Sequence, residues 1–69
     1  MELTIEYEQE EDGRWIAEIL ELPGALAYGS TWQTAMAKAQ ALALRIIAER
    51  IEQGDEMPRQ MRISFAAAA

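Results

Sequence analysis

Leu3, Ile5 and Tyr7 alternate with Thr4, Glu6 and Glu8, the period of two that appears when one face of a strand is buried. A first strand is predicted from Leu3 to Gln9. Asp12-Gly13 follows, a dipeptide suited to the positive-φ positions of a hairpin turn, and Trp15 to Leu20 then reads as a second strand antiparallel to the first. In Glu21-Leu22-Pro23-Gly24 the proline presets its own φ and the glycine accepts a positive one, so a tight turn ends that strand. Ala25 to Tyr28 gives a short third strand closed by Gly29.

The pattern then changes period. Ser30 and Thr31 are both good N-caps, and the stretch up to about Gln53 contains neither Pro nor Gly and much Ala, Leu, Gln and Arg, which predicts one long helix. Ala35, Ala39, Leu42 and Ile46, with neighbours at 43, 47 and 51, recur at spacings of three and four and draw its apolar stripe. Gly54 stands where a C-cap glycine belongs, and Asp55-Glu56-Met57-Pro58 breaks the pattern. Met61, Ile63 and Phe65 alternate with Arg62 and Ser64, predicting a last strand and leaving the terminal alanines, residues 66–69, as a tail behind a domain of residues 1–65.

The expected fold is therefore α+β, a four-stranded mixed sheet with one helix in the order β-β-β-α-β. A meander of three strands and a right-handed crossover through the helix give the sheet order 3-2-1-4. Strand two carries large apolar groups on both faces, Trp15 and Ile19 on one and Ile16 and Leu20 on the other. One helix covers one face, so the second face is expected to need a partner, and a second copy of the chain is the simplest supplier.

Composition narrows what such a domain does. At 69 residues the chain supports a single small core and little surplus stability, and with neither Cys nor His it has no disulfide or soft-metal staple. Self-association is the expected remedy. The formal charge of −6, from twelve acids and six bases, repels polyphosphate and argues against direct nucleic-acid binding. No run approaches the length of a membrane span and the N-terminus lacks the order of a secretory signal, so a cytoplasmic protein is expected.

Without Cys or His the usual nucleophile and base pairs cannot be assembled, and the isolated glycines make no phosphate-cradling loop. Neither a catalytic residue nor a cofactor is expected. Carboxylates are the remaining chemistry: Glu6, Glu8 and Glu10 are expected on one face of strand one, where a solvated, soluble surface explains them more simply than a cation site. Among the aromatics, Trp15 and Trp32 are the candidate contact anchors. Trp32, at the first helical position, either closes the helix end over the sheet or stays partly exposed.

Taken in order, Glu10-Glu11-Asp12-Gly13-Arg14-Trp15, Glu21-Leu22-Pro23-Gly24 and Tyr28-Gly29-Ser30-Thr31 with Ala35 and Ala39 resemble the N-terminal domain of HicB-type antitoxins. The resemblance spans nearly the whole chain. It implies a partial ribonuclease-H-like fold without nuclease activity, self-association as a dimer or tetramer, and binding to a HicA-like toxin, a small basic ribonuclease whose catalytic face the antitoxin masks. Leu20 stands where the family frequently has Pro. The DNA-binding segment usual in the family has no counterpart after the last strand, so operator binding is not carried over.

The expected function is thus protein binding of the antitoxin kind, with Glu6, Glu8, Glu10, Trp15, Leu22, Pro23 and Trp32 as candidate interaction residues. Each also has a structural explanation: Trp15 as core, Pro23-Gly24 as turn, the acids as solubility. The alternatives are an orphan homo-oligomeric scaffold with no toxin partner and a degenerate metal-dependent nuclease using Glu6, Glu8 and Glu18.

Overall fold

Alternation along the first strands sorts side chains to two faces, and the computed structural model, which describes residues 1–54 and 60–68, pairs them accordingly. β1 (Glu2–Gln9) lies antiparallel to β2 (Trp15–Ile19), with Ile5 opposite Ile19 and Tyr7 opposite Ala17. β2 lies antiparallel to β3 (Leu26–Gly29), and β1 lies parallel to β4 (Ser64–Ala67). The sheet order is β3-β2-β1-β4, as the topology argument requires.

The turns follow their chemistry. Gly13 N–H donates to the Glu10 carbonyl at 3.0 Å and Glu10 N–H to the Arg14 carbonyl at 2.7 Å, with Gly13 at φ 92°. This is a three-residue loop ending in a left-handed glycine, not a two-residue turn with two positive φ angles, because Asp12 keeps a negative φ and binds Arg14 through its side chain. In the second turn Ala25 N–H donates to the Leu22 carbonyl at 3.0 Å. Pro23 is the first central residue and Gly24, at φ 92°, the second, the type II arrangement.

α1 (Trp32–Glu52) is capped by Thr31, whose Oγ1 accepts from Thr34 N–H at 3.1 Å. It buries Ala35, Ala39, Ala43 and Ile47 and lies chiefly over β2 and β3, less over β1. These residues meet Leu3, Ile5, Ala17, Ile19, Leu22 and Ala25 in a single core, flanked by Trp15, Met36, Ile46, Ile51, Ile63 and Phe65. The helix ends at Glu52, with Gln53 as C-cap and Gly54 at φ 78° behind it. The break expected at Asp55-Glu56-Met57-Pro58 lies outside the described residues.

Several boundaries differ from the sequence reading: β1 begins at Glu2, one residue before Leu3, and β3 is Leu26–Gly29 rather than Ala25–Tyr28, so Ala25 lies in the turn and Gly29 in the strand. Leu20 is in the turn, not in β2. The last strand runs over Ser64–Ala67 rather than Met61–Phe65, so Ala66 and Ala67, expected in a tail, pair with Thr4 and Ile5. Ala68 N–H donates to the Ile5 carbonyl at 2.8 Å. Pairing is set by the backbone of β1, which offers its free edge regardless of how little a partner side chain buries.

Candidate functional site

The sheet has one covered and one open face, and strand register decides which residue goes where. Leu3, Ile5 and Tyr7 of β1 share the helix face with Trp15, Ala17 and Ile19 of β2. Side chains one position away point oppositely. The open face therefore holds Glu6 and Glu8 of β1, Ile16 and Glu18 of β2, and Leu26 and Tyr28 of β3. Leu20 is 45% exposed, Leu26 38% and Tyr28 40%, while Ile16 is half-buried among its neighbours.

Within that face Glu6 pairs directly with Glu18, and Glu8 with Ile16. Directly opposed side chains have Cβ atoms about 5 Å apart, and like charges so placed are destabilising. A shallow furrow of about 140 Å³ is lined by Glu6, Tyr7, Glu8, Ile16 and Glu18. Among the described residues the ion pair is Arg14 with Asp12, at 2.7 Å, and the Arg14 guanidinium also sits 4.5 Å from the Tyr28 ring centroid. No cation of this chain forms an ion pair with Glu6 or Glu18 among those residues. Nor do three or more acids converge there as a metal-holding group, so the three glutamates of the nuclease alternative share a face without forming a cage.

The remaining interaction candidates fall elsewhere. Trp15 and Trp32 belong to an aromatic cluster on the helix face: the Tyr7 and Trp32 rings stack with centroids 5.7 Å apart, and Tyr7 and Trp15 meet at 6.3 Å. Trp32 closes the helix end over the sheet and is still 41% exposed, so both alternatives for it hold in part. Leu22 is 3% exposed and a core residue, which leaves it no surface to offer a partner. Pro23 is an exposed turn residue. Glu10 lies beyond β1 in the hairpin, separated from the Glu6 and Glu8 row it was expected to extend.

The sequence reading did not single out Leu26, Tyr28 or Arg14 as interaction candidates. Their signal is the register of β3 on β2, which sets Tyr28 opposite Ile16 and Leu26 opposite Glu18, a long-range relation invisible in a stretch read as four weak strand residues. Thr31 and Thr34 are engaged with one another, Thr31 Oγ1 donating to Thr34 Oγ1 at 2.9 Å, as expected of cap residues. No helix among the described residues is long and apolar enough to cross a membrane. Comparison with protein-family models, with curated proteins and with solved structures finds no match for this chain.

Proposed function

We propose that this chain is a cytoplasmic, protein-binding domain of the antitoxin kind, which self-associates, requires no cofactor and neutralises a small basic ribonuclease of the HicA type. The observation that carries the reading is the open face of the sheet, where Leu26 and Tyr28 are each more than a third exposed, with Leu20 45% exposed in the adjoining turn, and no element among the described residues covers them. Large apolar side chains grouped on a rigid sheet and interspersed with charge are the makings of a protein interface. The acidic balance of the chain suits a basic partner and speeds its encounter. The order of turn motifs that resembles HicB-type domains points to the same partner class.

A second reading, a homo-oligomeric scaffold without a toxin, draws on the two open edges of the sheet, β3 and β4, since an unpaired strand edge is a template for another chain. Affinity purification of the tagged chain from its own cells separates the two. The antitoxin reading expects a small basic protein encoded by the neighbouring gene, with ribonuclease activity that the complex suppresses. Recovery of the chain with copies of itself alone would overturn it in favour of the scaffold.

A further inference from the structure

We propose that the open sheet face docks a basic amphipathic segment of a partner protein, with a cationic side chain between Glu6, Glu8 and Glu18 and apolar side chains on Ile16, Leu20, Leu26 and Tyr28. This rests on the protein-binding reading and adds the face used and the chemistry of what fills it.

Charge selects the occupant. The face is apolar toward β3, and toward β1 it carries Glu2, Glu6, Glu8 and Glu18, of which Glu6 and Glu18 are directly opposed across the ladder. Opposed like charges weaken a sheet, and a guanidinium or ammonium set between them turns that repulsion into attraction. A second copy of this chain does not provide one. A two-fold contact matches a surface with itself, so each copy would offer the other a face on which carboxylates outnumber cations among the described residues, as its apolar surroundings lose water. Among the described residues the cation seen at this face is Arg14, and it is already bound by Asp12 and laid on Tyr28. Self-association therefore uses another surface, and this face is left for a partner of opposite charge.

The test uses the full chain, labelled with nitrogen-15, and a short synthetic peptide alternating Arg with Leu as the probe. A control peptide has Glu in place of each Arg. On titration the amide shifts are expected to concentrate at Glu6, Glu8, Ile16, Glu18, Leu26 and Tyr28, and binding is expected to weaken with added salt. The Glu6→Gln, Glu18→Gln double variant, which alters exposed side chains and keeps the amide spectrum of a folded protein, is expected to lose about tenfold or more in affinity. Glu49→Gln, on the exposed outer side of α1, is expected to change nothing.

Shifts confined to the hairpin around Glu11 and Asp12, undiminished affinity in the double variant, or equal binding of the control peptide would overturn the proposal. So would shifts on the open face that appear with rising concentration of the chain alone. The result is separable from the toxin reading. Peptide binding on this face with no toxin recovered from cells upholds the docking surface and removes the toxin, while a toxin complex that leaves the face in water does the reverse.

Discussion

Glu21 finishes the β1–β2 ladder with its side chain where the backbone of β2 has already turned away. Its Oε1 accepts from Thr4 N–H at 2.7 Å and its Oε2 from Thr4 Oγ1 at 2.8 Å. The backbone donor first, and the hydroxyl second, hold its carboxyl below the ordinary value of 4.5. Asp12 is likewise held below 3.8, first by Arg14 N–H and then by the Arg14 side chain. A carboxyl with a depressed folded pKa binds its proton less readily in the native state than in the unfolded chain. Its contribution is present above the unfolded value and is lost as pH falls through the folded one. Stability is therefore expected to decline with acid below about pH 4.5, and Glu21→Gln to be less stable than the parent at neutral pH with the gap closing in that window. Urea titrations at a series of pH values check this, and parallel curves would refute it. Asp12 as a turn residue was legible from Asp12-Gly13. Glu21 as a clamp was not, because its partner lies 17 positions away and only the fold brings them together.

The helix sits close to the sheet because both surfaces are small. Ala35, Ala39 and Ala43 are wholly buried in one core with Ala17 and Ala25, and at Gly29 the helix comes close to the sheet backbone. A Cβ there would lie 2.6 Å from Ala35 N and 3.0 Å from Thr34 Cβ, and backbone at the capped first turn of α1 cannot yield as a long side chain would. Gly29→Ala is expected to destabilise the protein by about 1–3 kcal/mol, lowering the midpoint of thermal unfolding by about 4–8 °C per kcal/mol. An unchanged midpoint would mean that the helix is not seated as described. The stripe of α1 was readable from its three- and four-residue spacing, but Leu42, counted as part of it, is only half-buried. β4 marks the limit of periodicity: side-chain alternation at 61–65 pointed two to three residues too early, while two alanines of no pattern pair with β1.

The molecule measures 42 × 22 × 16 Å, and the smallest dimension is that of one helix on one sheet. Among the described residues the large buried side chains are Leu3, Ile5, Ile19, Leu22 and Ile47, the rest of the buried core being alanine, so the core is thin for the conformational entropy it must offset. Self-association is expected to supply the difference. The urea midpoint should then rise with protein concentration, by about 1.4 kcal/mol of stability for each tenfold increase in the case of a dimer. A midpoint independent of concentration would show that the single chain suffices. The strands, turns, caps and helix, and even the order β3-β2-β1-β4, follow from local rules, because periodicity, turn residues and crossover handedness act over a few positions or leave few topologies open. Which carboxylates meet was decided only by the folded chain. Glu6 and Glu18 oppose each other, Glu10 falls away into the hairpin, Glu21 reaches Thr4 and Leu22 goes inside, since register and turn geometry act between residues that no local pattern connects.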